Sequence, residues 1–310
     1  MDLSKRGHLT ASEKAMLAQM LQVYVLDGLG ETLKDPSGRL VFHGGTAISS
    51  VHGSARWSED LDFVVTPRMS GDLEAVRQHV EARASARIQD ITPGARFELI
   101  DKGRARGKVR EADPGTVMRW TGRWEHPMRH GVVRMKAEFY LADEAVVARY
   151  DTLQARPEAN GIEADHTLPA ATLETIWADK IMAMSARPAM KWRDVHDMGF
   201  IMQKIGDVPD DRLFERLEVA RDSYRSDMAA IHEGLGRESL ATLPDAFDAF
   251  AADMATWLPE MALNRGRGMQ TLRSFHASCC DQVERARRMI LERCPDIATD
   301  AAEEGPACAF

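Results

Sequence analysis

The sequence lacks long apolar segments. None of its 310 residues belongs to an uninterrupted apolar run of about eighteen residues, the length that a membrane-spanning helix requires. Its first residues, MDLSKRGHLT, also lack the apolar core of a signal peptide. We therefore expect a cytoplasmic protein that has no membrane partner.

Cysteine is scarce, and metal-binding patterns of cysteine and histidine are missing. The four cysteines are Cys279, Cys280, Cys294 and Cys308, and their spacing fits neither a zinc site nor a disulfide framework. A reducing compartment is the simplest interpretation. The histidines have no ligand-like spacing either. Structural or solvent-facing roles are expected for them.

An excess of positive charge is also missing. The formal net charge is −8, which argues against indiscriminate nucleic-acid binding but does not exclude a local basic groove. Residues 102–110 carry five basic side chains, and Trp120 and Trp124 follow among Arg119, Arg123 and Arg129. Basic residues near aromatics suit RNA binding. A solvated hairpin with core tryptophans explains the same residues equally simply.

Two kinds of hydrophobic pattern divide the chain. Residues 1–165 mix predicted strands with helices, which indicates a small mixed sheet with flanking helices. Residues 166–310 are predicted to be helical, beginning with 168–186 and 189–206. The polar stretch 156–169 would link the two parts. The fold class is therefore α+β, followed by a helical C-terminal lobe.

The first part contains two segments whose residue types suit a ligand-binding or catalytic site. Gly44-Gly45-Thr46 ends one predicted strand, where glycines allow a phosphate to approach the backbone closely. Asp60 and Asp62 alternate within a second strand, so their carboxylates share one face. Paired carboxylates are costly unless a cation lies between them, and Mg²⁺ prefers oxygen ligands. Each pattern alone is common in ordinary turns and strand ends, but together they favour a site.

The segment HGGTAISSVHGSARWSEDLDFVV resembles the AbiEii/AbiGii-type toxins, members of the DNA polymerase β-like nucleotidyltransferase superfamily. Their pattern GGTAL…R.S.DLDF is filled here by Arg56, Ser58, Asp60, Asp62 and Phe63. The resemblance implies a minimal nucleotidyltransferase fold, with Asp60 and Asp62 as catalytic, metal-binding residues. Mg²⁺ is the expected cofactor and Mn²⁺ the alternative. The NTP phosphates would contact Gly44, Gly45, Thr46 and Ser58.

Such enzymes carry a third carboxylate on a neighbouring strand. Glu138, in VVRMKAEFYL, is the first candidate for this metal ligand. It alternates with Lys136 and Tyr140 on one strand face. Glu98, in RFELI, is the competing candidate. An ordinary solvated position explains either residue.

The helical part resembles the same family in a second motif, A-x-K…R…R-D-x-x-D. Here it reads Ala178, Lys180, Arg187, Arg193, Asp194 and Asp197. Lys180 lies on the flank of an apolar stripe, where a snorkelling lysine is the ordinary explanation. A salt-bridged surface would explain the two aspartates. The resemblance implies that Lys180 contacts the triphosphate and that Asp194 acts in catalysis, with Asp197 structural.

The implied function is metal-dependent transfer of NMP from an NTP to RNA, specifically the tRNA 3′ end. The protein would then be the toxin of a toxin–antitoxin or abortive-infection phage-defence system, with a cognate antitoxin as partner. Two alternatives stay open at this point. The acceptor could be a protein hydroxyl, including one on the antitoxin, or the chain could be a non-catalytic nucleotide or RNA binder.

Overall fold

The computed structural model describes residues 7–33, 40–104, 113–263 and 266–297. The chain divides into two compact units, Met1–Thr172 and Leu173–Phe310. The sequence pattern changes at 165/166, seven residues before this division. No helix within the described ranges is long and apolar enough to span a membrane.

The first unit is built around a mixed sheet. Its strands are β1 (Gly7–His8), β2 (Leu40–His43), β3 (Asp60–Val65), β4 (Arg96–Arg104), β5 (Val117–His126), β6 (Arg129–Leu141), β7 (Thr152–Ala155), β8 (Glu158–Ala159), β9 (Ile162–Glu163) and β10 (Leu168–Ala171). Its helices are α1 (Ala11–Thr32), α2 (Gly44–Ser50), α3 (Pro67–Ile91) and α4 (Glu144–Val147). The expectation of a small mixed sheet with flanking helices is confirmed.

The ends of the two long helices follow from local chemistry. Thr10 and Glu13, a pair three positions apart whose residue types predict a capping box, form one: each side chain accepts a hydrogen bond from the other residue's backbone amide. Thr66 caps α3, and Pro67 occupies its first turn, where a missing amide proton costs nothing. The sequence predicts this helix from Gly71, so the helix begins earlier than expected.

Within the described residues, one sheet has the strand order β4-β5-β6-β3-β2-β10-β7, and β1 pairs with the start of β6. Strands β4, β5 and β6 form an antiparallel meander. Strand β3 lies parallel to β6 and antiparallel to β2. Strands β8 and β9 form a separate hairpin. Strand β3 is therefore a central strand with a neighbour on each edge, and its side chains alternate between the two faces of the sheet.

A row of aromatic rings crosses the inner face of this sheet. Phe42, Phe63, Phe139 and Trp120 contribute neighbouring rings with centroids 5.3, 4.9 and 4.4 Å apart. All four side chains are essentially inaccessible to solvent, and burying such rings is worth several kcal/mol in total. Because side chains alternate along a strand, this row forces the intervening residues of β3, β5 and β6 outward.

The second unit is helical in its described residues. It contains α5 (Leu173–Ala186), α6 (Trp192–Ile205), α7 (Asp210–Tyr224), α8 (Met228–Leu235), α9 (Glu238–Ala241), a 3₁₀ turn (Leu243–Asp245), α10 (Phe247–Trp257), α11 (Glu260–Leu263) and α12 (Arg267–Arg293). Helix α12 packs against α6, α7, α8 and α10. The predicted helical lobe is confirmed.

Two sequence-based assignments near the join are wrong. Residues 168–171, predicted as helix, form strand β10, which lies between β2 and β7. All four are buried, and a short apolar run of this kind has no periodicity that separates strand from helix. The stretch 156–169, interpreted as a linker, also contains the hairpin β8–β9.

Candidate active site

Strand β3 presents the two predicted aspartates on the outer face of the sheet. Leu61 and Phe63 are fully buried on the inner face, so Asp60 and Asp62 both point outward. Both remain partly exposed to solvent. Their Cα atoms are about 6.7 Å apart along the strand. The paired carboxylates therefore share one accessible face, as the alternation predicts.

The predicted glycine turn lies directly beside this pair. His43 is opposite Asp62 in the β2–β3 register, and Gly44 follows with φ +76°. A Cβ atom on Gly44 would meet the Asp62 carboxylate, with the Asp62 Cβ atom 3.0 Å away. The Thr46 hydroxyl donates to the carbonyl oxygen of Asp60. Only glycine at position 44 lets the turn approach the carboxylate.

Gly45 packs closely against Arg56 and Ser58, which precede β3. A Cβ atom there would lie 2.9 Å from Ser58 Oγ and 2.5 Å from Arg56 Nη2. Gln22 of α1 donates to the Ser58 carbonyl at 3.1 Å and holds this segment in place. The predicted phosphate-contact residues of the first unit, Gly44, Gly45, Thr46 and Ser58, are thus brought together.

Arg56 is a site residue that the sequence prediction did not include. Its side chain is almost wholly buried, and its Nη1 atom donates to the Trp57 carbonyl at 2.7 Å. The guanidinium reaches Gly45 and lies in the same neighbourhood as Ser58. Its occurrence in the R.S.DLDF pattern is the signal that could have identified it.

Glu138 is the nearer of the two candidates for the third carboxylate. It is directly opposite Asp62 in the parallel β3–β6 register. Its Oε1 atom accepts from Arg119 Nε at 2.8 Å. Glu98 is on β4, and two strands separate it from β3, a distance of about 14 Å. The sheet order therefore favours Glu138 over Glu98 on proximity.

The carboxylate pair has the chemistry of a magnesium site. Across the described ranges, no three His, Cys, Asp or Glu side chains are arranged to hold a metal ion. Lys136 Nζ lies 3.6 Å from Asp60 Oδ1. Magnesium is commonly bound through one or two carboxylates together with substrate phosphates and water. Asp60 and Asp62 fit that pattern, whereas Glu138 is engaged by Arg119.

The second motif forms a buried ionic network within the second unit. Lys180 Nζ lies 2.7 Å from Asp194 Oδ1 and 2.7 Å from Asp197 Oδ2. Arg187 pairs with the other oxygen of Asp194. Lys180, Asp194 and Asp197 are all less than a tenth exposed. The structure thus joins the predicted Lys180 and Asp194 directly, and it adds Arg187 and Asp197 as their partners.

Positive charge accumulates around this network. The charge of Arg187, together with burial and the charge of Arg193, lowers the pKa of Lys191 below its ordinary value. Arg193 itself lies over the Trp257 ring at 4.2 Å. A small pocket with a cavity volume of about 10 Å³ opens beside the network; its lining residues include Arg187, Lys191, Asp194 and Ser239. A cavity of this size holds about one water molecule.

The structure excludes base stacking by the tryptophans of the basic and aromatic segment. Trp120 and Trp124 are fully buried and belong to the core. Arg119 and Arg123 remain substantially exposed on the opposite face of β5. The basic residues at 105–110 lie outside the described residues. The core tryptophans are therefore as the second explanation expects, and the exposed arginines stay accessible to a phosphate backbone.

Comparison with known proteins adds an independent finding. The family described as nucleotidyl transferase AbiEii toxin, type IV toxin–antitoxin system, matches residues 31–273. No curated protein sequence matches the chain.

Two solved structures are among those that match the chain. MenT4, a nucleotidyltransferase toxin from Mycobacterium tuberculosis, has 16% identity and a TM-score of 0.47, covering 94% of this chain and 93% of that chain. JHP933 from Helicobacter pylori has 15% identity and a TM-score of 0.46, covering 95% and 100%. Similarities at this level of sequence identity and TM-score carry no information about the substrate.

The family match covers most of the chain, including the glycine turn, the Asp60–Asp62 pair and the Lys180–Asp194 network. The resemblance seen in the sequence is thereby confirmed. The chain belongs to the AbiEii nucleotidyltransferase toxin family of type IV toxin–antitoxin systems.

Proposed function

We propose that the protein transfers a nucleoside monophosphate from an NTP to a hydroxyl group of RNA, with the tRNA 3′ end as acceptor. The observation that carries this proposal is the outward-facing Asp60–Asp62 pair beside a glycine turn that admits no Cβ atom. The family supplies the reaction class, nucleotidyl transfer by a toxin. The acceptor, the metal and the residue roles are our own assignments.

Asp60 and Asp62 would hold Mg²⁺, or Mn²⁺ in its place, with Glu138 as the third candidate ligand. A bound metal ion would neutralise charge on the triphosphate and activate the attacking hydroxyl. Gly44, Gly45 and Thr46 would contact the phosphate oxygens through their backbone amides, in a turn that packs directly against the Asp62 carboxylate. Ser58 and the buried Arg56 add a hydroxyl and a guanidinium to the same side of the turn.

We assign the chemistry of the second motif to Lys180 and Asp194. Lys180 would stabilise the charge that develops on the triphosphate, and Asp194 would orient or deprotonate the acceptor hydroxyl. The two salt bridges at 2.7 Å hold the ammonium in a fixed position. Asp197, fully buried, would position Lys180 without touching the substrate.

The biological role would be growth arrest by a modified tRNA that no longer accepts an amino acid. An antitoxin would counteract this activity, in phage defence or in another stress response. Exposed cations near Asp60, such as Lys136, suit a polyanionic acceptor better than an ordinary protein hydroxyl.

The proposal is tested by labelled-nucleotide transfer. Purified protein is incubated with Mg²⁺, each α-labelled NTP in turn and total tRNA, and RNA and protein are resolved on gels. We expect label in tRNA with at least one NTP. Asp60→Asn/Asp62→Asn should abolish that label, because the metal ligands are lost. Glu98→Gln is the matched control, since it neutralises a carboxylate about 14 Å away on the same sheet, and it should retain activity.

The same gels separate the alternatives. Label confined to protein would replace the RNA acceptor by a protein hydroxyl. Equal labelling of tRNA by wild type and by Asp60→Asn/Asp62→Asn would contradict the assigned metal site. Omission of the divalent cation, with EDTA present, should eliminate transfer and should be reversed by added Mg²⁺ or Mn²⁺.

A further inference from the structure

The outer face of strands β5 and β6 carries more positive than negative charge. Four cationic side chains share this face: Arg119, Arg123, Arg134 and Lys136. Two carboxylates, Glu125 and Glu138, accompany them on the same two strands, each in an ion pair at 2.8 Å with Arg123 and Arg119 respectively. Of the other two cations, Lys136 pairs with Asp60 of β3 at 3.6 Å, and Arg134 has no carboxylate partner among the described residues.

One contact on this face is unfavourable in the isolated protein. Arg123 and Arg134 are directly opposite each other in the antiparallel β5–β6 register. Like charges in opposed positions destabilise a sheet, by an amount comparable to the gain from an opposite-charge pair. Among the described residues, no carboxylate is paired with Arg134. Glu98 of β4 lies opposite Arg123 on the other side of β5 and Glu125 pairs with Arg123, so Arg134 is the member of the pair that no carboxylate of the described residues compensates.

This positive face leads to the carboxylate pair. Lys136 is two residues beyond Arg134 on β6 and directly opposite Asp60 on β3. From the strand spacing and the rise per residue, the Cα atoms of Arg134 and Asp60 are about 8 Å apart. A polyanion that lies along Arg123, Arg134 and Lys136 would therefore reach the edge of the Asp60–Asp62 site.

The chemistry of the face restricts how a polyanion could be bound. The tryptophans of β5 are buried on the inner side of the sheet. Tyr140 shares the outer face of β6 but lies six residues beyond Arg134, about 20 Å along the strand. Base stacking is the usual source of single-strand affinity beyond charge, and none of these rings lies beside Arg123 and Arg134. The two arginines therefore offer contacts to the phosphate backbone, which position a nucleic acid without reading its sequence.

We infer that Arg123, Arg134 and Lys136 form a docking surface for the phosphate backbone of the RNA acceptor. The inference rests on the proposed function, because the acceptor's reactive hydroxyl must come to the Asp60–Asp62 pair. A backbone phosphate placed between the opposed arginines would offset their repulsion and give Arg134 a counter-charge. Recognition at this surface is electrostatic and independent of base identity.

The test measures RNA binding without transfer, so it needs no NTP. A fluorescein-labelled RNA hairpin with a single-stranded 3′ tail is titrated with full-length protein at several salt concentrations, and anisotropy gives the affinity. For Arg123→Gln/Arg134→Gln we expect an affinity roughly tenfold lower and a salt dependence, as d log K/d log[salt], shallower by about 1.4. Arg68→Gln/Arg156→Gln is the matched control, with two exposed arginines of the same unit, and it should bind like wild type.

The stability of each variant and its affinity for RNA are measured separately. Removing an opposed like-charge pair should leave the urea midpoint of Arg123→Gln/Arg134→Gln unchanged or raise it. Arg123→Lys/Arg134→Lys keeps both charges and should keep the wild-type salt dependence. Unchanged affinity and salt dependence in the Gln variant would overturn the docking surface, as would binding of an acidic protein but not RNA by wild type. RNA binding that depends on both arginines but is accompanied by no nucleotide transfer would sustain the surface and reject the proposed reaction.

Discussion

At the scale of single residues, one hydrogen atom in place of a methyl group decides whether the candidate site can form. Gly44 and Gly53 both have positive φ, +76° and +80°. A Cβ atom on Gly44 would strike the Asp62 carboxylate, whereas a Cβ atom on Gly53 would have nothing within 4 Å. Alanine would therefore cause backbone strain at both positions, but it would clash with a neighbouring side chain only at position 44.

We predict that Gly44→Ala lowers nucleotide transfer about a hundredfold, since a displacement of about 1 Å at a reacting group has that effect. Gly53→Ala should lose roughly 1–2 kcal/mol of stability from backbone strain but retain transfer per folded molecule. Initial transfer rates and urea unfolding of both variants check this. Equal losses of activity in the two variants would show that strain alone, and not the Asp62 contact, is responsible.

The second residue-scale prediction concerns Lys180. Removing its ammonium leaves the buried carboxylates of Asp194 and Asp197 without their shared partner. We expect Lys180→Met to destabilise the second unit by about 3–5 kcal/mol. Adding Asp197→Asn removes one of the two carboxylates that lose Lys180, while Asp194 keeps Arg187, and should recover part of that loss. Chemical denaturation of the single and double variants measures the coupling.

Lys204→Met is the control for that series, because Lys204 is exposed on α6 and its loss should stay within about 0.5 kcal/mol. Additive effects of Lys180→Met and Asp197→Asn would mean that the pair does not interact in solution. The stability measurement is also needed for activity assays. Inactivity of Lys180→Met indicates a catalytic role for Lys180 only under conditions in which the variant remains folded.

At the scale of elements, Asp27 of α1 connects α1 with α3 and with the segment before β10. Its buried carboxylate accepts from Arg83 Nε at 3.1 Å and Arg87 Nη1 at 2.9 Å, both on α3. It also accepts from the amides of Asp165 and His166 at 2.8 and 3.0 Å. Burial raises the pKa of Asp27, but hydrogen bonds from His166 and the two arginines outweigh it and lower the pKa overall.

A lowered folded-state pKa means that Asp27 stabilises the fold above its unfolded pKa of about 3.9, and that this stabilisation is lost as the pH falls through the folded value. We predict that Asp27→Asn costs about 3 kcal/mol at neutral pH, lowering the melting temperature by roughly 6–12 °C. The difference from wild type should shrink below about pH 4. Thermal unfolding across pH 3–7 checks both statements.

Glu31 supplies the matched control on the same helix. It pairs with Arg83 at 2.8 Å but is about one third exposed, so Glu31→Gln should cost no more than about 1 kcal/mol. An Asp27→Asn variant that is as stable as Glu31→Gln at neutral pH would mean that burial of the Asp27 network adds nothing.

Local patterns predicted the elements whose signals lie within a few residues. The Thr10–Glu13 capping box and the alternation that faces Asp60 and Asp62 outward are signals of this kind. The partners of Lys180, Asp194 and Asp197, come from a second helix, and their contact with Lys180 depends on how α5 and α6 pack. Strand β10 is four buried residues whose identity as a strand depends on β2 and β7. Such features are set by tertiary pairing, which periodicity does not encode.

At the scale of the whole molecule, the end of the first unit is set by strand pairing and not by composition. Strand β10 pairs with β2 through Ala170 and Phe42 and with the whole of β7. The carbonyl of Ala171 also lies 3.0 Å from His52 Nε2. A division at 165/166, where the sequence pattern changes, would separate these four residues from the sheet.

We therefore predict that a fragment of residues 1–172 folds and that a fragment of residues 1–165 does not. The shorter fragment lacks β10, which exposes the edge of β2 and leaves β7 without its partner, and unpaired edges promote aggregation. It also lacks His166, which contributes two hydrogen bonds to Asp27. Size-exclusion chromatography and urea unfolding should show a monomer with one cooperative transition for 1–172, and aggregation or non-cooperative unfolding for 1–165. If both fragments unfolded with the same midpoint, β10 would not be an integral part of the first unit, and its buried pairing would have to be replaced by other contacts in the shorter chain.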